Sequence, residues 1–210
     1  VLEFTEGSKV SLNENVVRSA TDSFSNQGGI KILAGNIGRS VIKTAAVDKE
    51  HLIVEAPAIV FQEQSDLISA FKNNELNKDF IAVVPFQGPK QNGMPELHNL
   101  TPSLTILQKR GYKVGLITDG RMSGASGKVP AAIHLTPEAS DGGVISKIES
   151  GDLIRLDAVN GTLDLINFEE INKRKAKEKS QTSQTSLGRN LFENARHIVS
   201  SSENGASFIL

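Results

Sequence analysis

A loop rich in glycine and polar side chains follows a short apolar run and is the part of the sequence best suited to chemistry. The run is Val114–Thr118, and residues 119–128 after it include three glycines, two serines, an arginine and a lysine. Glycine lets a backbone turn tightly, and successive N–H groups in such a loop are able to face an anion. The spacing matches neither GxxxxGK followed by Ser or Thr nor GxGxxG. The loop therefore offers a hydroxyl, Ser123, between the two cations Arg121 and Lys128.

The residue types of this loop leave alternatives open. Ser123 either takes part in catalysis as an activated hydroxyl or shapes a glycine turn. Arg121, Ser126 and Lys128 either bind a phosphate or carboxylate group, because cations suit oxyanions, or form a solvated loop surface. Asn36, in a second glycine turn, is either a residue of the binding cleft or occupies a left-handed turn position.

One carboxylate and two histidines are further candidates. Glu96 lies near the start of a helix that we predict to begin at Pro95, where a carboxylate interacts well with free N–H groups and the helix dipole. His98 and His134 either orient a substrate or are neutral structural side chains, and we favour the structural role for both. Asp119 ends the apolar run and is expected to cap the turn. The predicted apolar face of the helix is Leu97, Leu100, Leu104, Ile106 and Leu107, with Gly111 at its end.

The composition favours a soluble intracellular protein, which we expect in the cytoplasm. The chain has 210 residues, 38% of them hydrophobic, enough for one large domain or two small ones. A net charge of -1 gives no overall attraction to nucleic acid or to an anionic membrane, and no apolar run approaches the roughly 18–20 residues that cross a bilayer. Cysteine is absent, which excludes disulfides and thiolate metal ligands within the chain. The first residue, Val1, is not methionine, which suggests a fragment or a processed chain.

The order of apolar and polar runs predicts an α/β fold with a change of pattern after residue 143. Helices and strands alternate over residues 63–120, as is typical of α/β units. After residue 143, short strands with a hairpin turn at Asn160-Gly161 predict a small barrel or sandwich element. The predicted strands are 30–33, 41–47, 52–54, 58–61, 80–85, 114–118, 144–148, 153–156 and 163–166; the predicted helices are 63–74, 95–110, 168–179 and about 187–199, with a polar linker over 180–186.

Several motifs, in their order along the chain, resemble those of one dehydratase family. They are residues 118–134 (TDGRMSGASGKVPAAIH), residues 88–97 (GPKQNGMPEL), the glycine-led segment 29–36 and residues 150–155 (SGDLIR). The resemblance is to the family that contains dihydroxy-acid dehydratase and 6-phosphogluconate dehydratase, and it covers nearly the whole chain. Within that family, the Met-Pro-Glu and Met-Ser-Gly motifs look most like the 6-phosphogluconate branch.

This resemblance implies a two-domain parent protein. Residues 1–210 would be its C-terminal swivelling β/β/α domain, with a small β-barrel-like sheet, flanking helices, and a linker, helix and tail over residues 179–210. In the family, cysteines of the N-terminal domain hold a [4Fe-4S] cluster, and the absence of cysteine here fits that placement. The implied partners are the N-terminal domain, a phosphorylated sugar-acid substrate and a second copy in a homodimer, with no nucleic acid and no membrane.

The same resemblance implies roles for single residues. Ser123 would be the general base, which takes a proton from the carbon next to a carboxylate while an adjacent hydroxide leaves with help from cluster iron. Glu96, in the Met-Pro-Glu motif, would bind a divalent cation, Mg²⁺ or Mn²⁺, as an oxygen ligand. The residues expected to bind substrate are Arg121, Ser126, Lys128 and Asn36.

The resemblance implies a hydro-lyase of sugar-acid breakdown. The parent would convert 6-phospho-D-gluconate to 2-dehydro-3-deoxy-6-phosphogluconate and water, whereas this chain alone would be inactive because the cluster is held elsewhere. A dehydratase for another sugar acid or for a dihydroxy acid is one alternative. A cluster-free domain that binds anionic sugars or a protein partner is the alternative from another functional class.

Overall fold

Eight strands close into one barrel in the computed structural model of the chain. The structure describes residue 7 and residues 10–123, 127–179 and 193–209. The strands, in chain order, are β1 (Ile30–Gly35), β2 (Gly38–Lys43), β3 (Ile53–Val60), β4 (Phe80–Val84), β5 (Val114–Thr118), β6 (Ala131–Thr136), β7 (Leu153–Asp157) and β8 (Thr162–Leu165). Their order around the barrel is β1-β2-β6-β5-β4-β3-β7-β8.

Four neighbouring strands of the barrel, β3, β4, β5 and β6, run parallel to one another. The pairs β1–β2, β2–β6, β3–β7 and β7–β8 are antiparallel. The carboxyl ends of parallel strands meet at one edge of a sheet, where ligand sites of α/β folds commonly form. The loops that follow β4, β5 and β6 therefore converge at one end of the barrel, and the Ser123 loop is among them.

Short helices accompany the barrel. No helix in the described ranges has the length and apolar character needed to span a membrane. The α-helices are α1 (Gln64–Lys72), α2 (Pro89–Asn92), α3 (Thr101–Lys109), α4 (Phe168–Asn172) and α5 (Glu193–Ile198). The 3₁₀ turns are Ala20–Asp22, Lys49–His51, His98–Leu100, Ala139–Asp141, Val144–Lys147 and Ser202–Asn204.

Two hydrophobic cores explain why β4 is apolar throughout. Its five residues are all buried. Ile81 and Val83 belong to the core inside the barrel, to which all eight strands contribute. Phe80, Ala82 and Val84 point the other way, into a core shared with α1 and α3. Because successive side chains of a strand face opposite sides, a strand covered on both faces loses the usual alternation of apolar and polar residues. The predicted α/β class, with a barrel-like sheet and flanking helices, is confirmed.

The predicted helix start at Pro95 is wrong. The helix α3 begins at Thr101, with Pro102 in its first turn, and a 3₁₀ turn precedes it. The backbone of Glu96 is held instead by a β-bridge to Arg121, which ties this segment to the β5 loop and delays the helix. Ile106 is also not part of the apolar face, because its side chain is 42% exposed.

Two predicted strands, 52–54 and 58–61, are parts of the single strand β3. Pro57 lies inside this strand, where proline is usually excluded because it has no N–H to donate. The N–H of Ala58 points towards β7 and donates to the carbonyl of Asp152 at 2.8 Å. The nitrogen of Pro57 therefore faces the opposite side, where pairing with β4 starts only at Ala58. The missing N–H thus costs the sheet no hydrogen bond on that side.

The predicted strand over residues 144–148 is also wrong, since Val144–Lys147 forms a 3₁₀ turn. Ser146 explains the difference, because both its N–H and its hydroxyl donate to the carbonyl of Gly143, at 2.9 and 2.7 Å. Such local bonds from serine offer the backbone an alternative to a sheet. The prediction had placed a small barrel or sandwich element after residue 143. Instead, β7 and β8 are two of the eight strands of one larger barrel.

The charged helix predicted over 168–179 ends early, as α4, at Asn172. The residues that follow are bound to neighbouring segments instead. Arg174 forms an ion pair with Asp152 at 2.6 Å, and the N–H of Lys177 donates to Ser146. The predicted hairpin turn at Asn160-Gly161 is confirmed, with Gly161 at φ +75°. The predicted linker over 180–186 lies outside the described residues, and of the last predicted helix the structure describes α5.

Candidate functional site

The buried carboxylate of Asp119 joins the three loops at the end of the barrel. It follows β5 directly and is fully buried. Its oxygens accept N–H hydrogen bonds from Gln87 at 2.7 Å, Ala139 at 2.9 Å and Phe86 at 3.1 Å. Burial raises the pKa of Asp119 above its ordinary value, and these three hydrogen bonds act in the opposite direction. The predicted turn-capping role of Asp119 is thereby extended, because it caps loops from three strands.

A second buried carboxyl group, Glu138, lies beside Asp119. It accepts a hydrogen bond from the N–H of Lys90, 3.1 Å from its Oε1. Burial, and next the charge of Asp119, raise the pKa of Glu138 to about 7. The Lys90 ammonium itself pairs with Asp141 at 2.6 Å. The floor of the site therefore holds two acidic groups close together, one of which gains a proton near neutral pH.

The loop after β5 passes very close to the loop after β4. A Cβ atom added at Gly120 would lie 2.7 Å from Cβ of Gln87 and 3.0 Å from a methyl group of Leu97. Only glycine permits this approach, so the glycine of the Thr-Asp-Gly motif has a packing reason. The carbonyl of Gly120 in turn accepts a hydrogen bond from the N–H of His134, at 2.9 Å.

Glu96 fixes the Ser123 loop with one carboxylate. Its Oε1 accepts the N–H of Ser123 at 2.8 Å and that of His98 at 3.1 Å, and its Oε2 is 3.0 Å from Nη1 of Arg121. Nε of Arg121 donates to the carbonyl of Met94 at 2.7 Å. Charge-assisted bonds of this kind are stronger than those between neutral groups. The structure thus brings together three predicted site residues, Ser123, Arg121 and Glu96.

Ser123 is half-buried beside a lysine from a distant part of the chain. Lys43, at the end of β2, lines the same narrow recess as Ser123, together with Met122 and Val129. The Lys43 ammonium donates to the carbonyl of Met122 at 3.1 Å. A cation at this position stabilises negative charge on a nearby oxygen. Nothing in the local sequence around Lys43 signals this role, since only the closure of the barrel brings β2 to the β5 loop.

Three of the non-glycine residues with positive φ surround this site. They are Phe86 at φ 63°, Met94 at φ 54° and His134 at φ 57°. This conformation is uncommon for residues with a side chain, and such strain concentrates where the fold must hold functional groups in place. These three backbone positions lie where the loops after β4 and β5 meet β6.

His134, for which the sequence favoured a structural role over orienting a substrate, lies beside this site. Its imidazole is half-buried and makes no hydrogen bond within the described ranges 10–123, 127–179 and 193–209. Burial lowers the pKa of His134, and the positive charges of Lys43 and Arg121 lower it further. A neutral imidazole carries both a donor and an acceptor.

The other predicted substrate-binding residues are less well supported. Lys128 is exposed and makes no hydrogen bond with the part of the chain that the structure describes, and Ser126 lies outside the described residues. Asn36 lies on the β1–β2 turn, where its side chain donates to the carbonyl of Leu165 at 2.9 Å and accepts that residue's N–H at 2.8 Å. Asn36 does not adopt the left-handed conformation, and it pins the turn to β8. The geometry therefore gives its predicted role in substrate binding no support.

Glu96 is the one predicted metal ligand. Within the described residues, no group of three or more His, Asp or Glu side chains is arranged to hold a metal ion. The Glu96 carboxylate is already engaged with Arg121 and with the two N–H groups, although a carboxylate has about four lone-pair sites and can accept more. Any metal bound to Glu96 would therefore need most of its ligands from outside the described residues of this chain.

Comparison with known proteins places these loops in a family. The family model for the dihydroxy-acid/6-phosphogluconate dehydratase C-terminal domain matches residues 15–206. The chain is 50% identical over 206 residues to phosphogluconate dehydratase of Pseudomonas aeruginosa, covering 98% of this chain and 34% of that protein. Identity to phosphogluconate dehydratase of Escherichia coli K12 is 48% over 210 residues, covering 99% and 35% respectively. Identity to dihydroxy-acid dehydratase of Clostridium botulinum is 38% over 169 residues, covering 78% and 30%.

These relatives are much longer than the chain. The chain spans about a third of the length of each curated relative named above. The match runs through the barrel and through all three loops of the site, since residues 15–206 include every strand. The chain therefore belongs to the dihydroxy-acid/6-phosphogluconate dehydratase family, in which it corresponds to the C-terminal domain.

Proposed function

We propose that this chain is the C-terminal part of a 6-phosphogluconate dehydratase, a hydro-lyase of Entner-Doudoroff sugar-acid breakdown. The parent protein converts 6-phospho-D-gluconate to 2-dehydro-3-deoxy-6-phosphogluconate and water. The observation that carries the proposal is the Ser123 loop, in which Glu96 accepts the backbone N–H of Ser123 and Ser123 lines the same recess as Lys43. The names of the relatives at 48–50% identity support the choice of substrate.

The reaction breaks two bonds on neighbouring carbons of the substrate. Ser123, as its alkoxide, accepts the proton from C2, next to the carboxylate, and the C3–O bond breaks with its electron pair on the leaving oxygen. The departing hydroxide takes up a proton to become water, and the resulting enol is protonated at C3 to give the 2-keto acid. A serine hydroxyl is a poor base unless nearby positive charge stabilises its alkoxide. Lys43 supplies such charge from this chain, and Glu96 fixes the backbone at Ser123. These two residues therefore prepare Ser123 for proton transfer.

The cluster that we propose is a [4Fe-4S] centre bound by the N-terminal domain of the parent protein. This chain has no cysteine, and thiolates are the usual ligands of such clusters, so its residues do not fit as the holders of the cluster. When bound, the cluster supplies a Lewis acid for the departing C3 hydroxide. Glu96 is the residue of this chain that would bind Mg²⁺ or Mn²⁺ as an oxygen ligand, through the carboxylate that also accepts the hydrogen bond from Arg121.

Cations at the rim of the loop bind the anionic groups of the substrate in this proposal. Arg121 keeps a half-exposed guanidinium after its bonds to Glu96 and Met94, and Lys128 is exposed. Both suit a phosphate or carboxylate group. Ser126 is proposed as a further donor. The parent works in the cytoplasm as a homodimer, and its N-terminal domain is the partner that closes over this end of the barrel.

A dehydratase for a dihydroxy acid remains the second candidate, because the Clostridium botulinum relative carries that name at 38% identity. The test is turnover by the full-length protein, loaded with iron, on 6-phosphogluconate, gluconate and 2,3-dihydroxyisovalerate. We expect 2-keto acid chiefly from 6-phosphogluconate. Faster turnover of the dihydroxy acid, or equal constants for phosphorylated and unphosphorylated gluconate, would overturn the proposal. Absence of turnover with any hydroxy acid would favour a binding domain.

A further inference from the structure

A cavity next to the Ser123 loop has no role in the reaction described so far. It has a volume of about 440 Å³ and lies between β1, β2, β6 and the C-terminal 3₁₀ turn. That volume falls within the roughly 300–1,000 Å³ typical of small-molecule sites. His134 lies in its wall, and the same residue is bonded through its N–H to Gly120 at the start of the Ser123 loop. The cavity therefore adjoins the proposed reaction site through one residue.

The walls of the cavity differ in character. Its lining includes the apolar residues Ile32 and Val41, which pair across β1 and β2. It also includes polar residues, namely Arg39, Ser40, His134, Ser202, Glu203 and Asn204. A chain of hydroxylated carbons has the matching properties, since its C–H groups pack on apolar surface while its hydroxyls need donors and acceptors. A lone phosphate group would gain no binding free energy from the apolar residues Ile32 and Val41.

The C-terminal 3₁₀ turn, Ser202–Asn204, forms part of the cavity wall. Glu203 forms an ion pair with Arg39, with 3.2 Å between Oε1 and Nε, and Ser202 contacts the sulfur of Met94 at 3.9 Å. Met94 also accepts the hydrogen bond from Arg121. The turn Ser202–Asn204 is thus linked both to the barrel and to the loop that carries Glu96. Glu203 and Ser202 are held by these contacts, and Asn204 lines the cavity beside them.

His134 is the group that connects this cavity with the chemistry. Its ring has no hydrogen-bond partner among the described residues, although it is half-buried. Burial, then the charges of Lys43 and Arg121, lower its pKa and so favour the neutral ring, which can both donate and accept a hydrogen bond. Its backbone, at φ 57°, lies within β6 at an irregularity of the β2–β6 pairing, where Arg39 pairs with Thr136 but Val41 with Ile133.

We propose that the cavity binds the hydroxylated carbon chain of the sugar-acid substrate and that His134 hydrogen-bonds one of its hydroxyls, with Asn204 as a second contact. This inference rests on the proposed function and adds to it a binding site for the part of the substrate beyond the reacting carbons. The Ser123 loop then receives the C2–C3 end, and the cavity selects for substrates with further hydroxyls. A short dihydroxy acid would leave it unfilled.

The test uses His134→Asn and Asn204→Ala in the full-length, iron-loaded protein. Asparagine tolerates positive φ, so the fold around residue 134 is kept while the reach of the imidazole is lost. We expect KM for 6-phosphogluconate to rise roughly three- to tenfold with kcat nearly unchanged, as for a neutral hydrogen bond made equally in the ground and transition states. Asn74→Gly is the matched control, because Asn74 has φ 60° on a surface turn after α1 and should leave KM unchanged.

A binding measurement separates this inference from a merely structural role. In the full-length protein labelled with ¹³C-histidine, we expect gluconate and 6-phosphogluconate to shift the His134 ring signal and inorganic phosphate alone to leave it unchanged. An unchanged KM in both variants, a fall in kcat with constant KM, or an equal shift with phosphate alone would overturn the inference. If the wild-type protein turns over another sugar acid instead, the proposed function fails, and the same KM comparison on that substrate still decides the role of the cavity.

Discussion

At the scale of single residues, the Glu96 carboxylate holds the loop after β5 to its own segment. We expect Glu96→Gln in the full-length protein to lower kcat by roughly ten- to a hundredfold, the equivalent of one charge-assisted hydrogen bond. The amide keeps one acceptor for the N–H of Ser123 but loses the ion pair with Arg121. Stability should change by no more than about 1 kcal/mol, because that pair is half-exposed. Steady-state kinetics and chemical denaturation provide the measurements.

A matched control for Glu96 lies on β3. Glu55 pairs with Arg155 at 3.1 Å, and its side chain is 44% exposed against 36% for Glu96. Glu55→Gln removes a comparable ion pair away from the site and should leave kcat unchanged. If both variants lose activity to the same extent, Glu96 has no special role in holding Ser123.

Glu138 should make the free energy of unfolding depend on pH. Its pKa is about 7 in the folded chain against 4.5 for a free side chain, so the folded state binds the proton more tightly. Its contribution to stability is therefore fully present below about pH 4.5 and is lost as the pH rises to about 7, by up to about 3 kcal/mol. Glu138→Gln should remove this dependence and be more stable than the wild type at pH 8. Denaturation at pH 5 and pH 8 measures it, with the exposed Glu55→Gln as control; an unchanged pH slope in Glu138→Gln contradicts the assignment.

At the scale of elements, α3 positions the β4 loop by burying one face. Leu104 is fully buried in the core between α3 and the outer side of the barrel, whereas Ile106 is 42% exposed. Leu104→Ala should cost about 2–5 kcal/mol of unfolding free energy, because it leaves a cavity in a packed core. Ile106→Ala should change it by no more than about 0.5 kcal/mol. Thermal or urea denaturation distinguishes the two, and equal losses would contradict the placement of this face.

The elements also show how far sequence patterns reach. The apolar runs predicted β4 and β5, and the Asn160-Gly161 pair predicted the β7–β8 hairpin, because these signals are local. The delayed start of α3 depends on Arg121, a distant partner that only the tertiary fold brings to Glu96. The 3₁₀ turn at Val144–Lys147 depends instead on local bonds from Ser146 to Gly143, which outweigh the apolar pattern of that segment.

Some residues of the candidate site could be identified from sequence motifs, and others only from the fold. Ser123, Arg121 and Glu96 were found from sequence because glycine-rich and Met-Pro-Glu motifs mark them. Lys43 and the cavity beside His134 were not found, because β2 and the C-terminal turn reach the loop only through closure of the barrel. Residues that come together from distant segments leave no local pattern to read.

At the scale of the whole molecule, the chain that we propose to supply a base and binding groups contains no thiolate. We expect the isolated chain of 210 residues to purify without colour and without iron or sulfide, and to show no dehydratase turnover, because it contains no cysteine. Iron and sulfide analysis after anaerobic reconstitution provides the measurement. Stoichiometric iron and sulfide in the isolated chain would contradict the proposal that the N-terminal domain of the parent protein binds the cluster.

The turnover of the full-length protein with Ser123→Ala tests most directly whether Ser123 is the base. If Ser123 accepts the C2 proton, kcat should fall by about 10²–10⁴, the usual contribution of a positioned base. Exchange of the C2 proton with deuterated solvent should disappear as well, while iron content stays the same and stability moves by only about 0.5 kcal/mol. A variant that keeps more than about a tenth of the wild-type kcat, or that still exchanges the C2 proton, would contradict the assignment of Ser123 as the base.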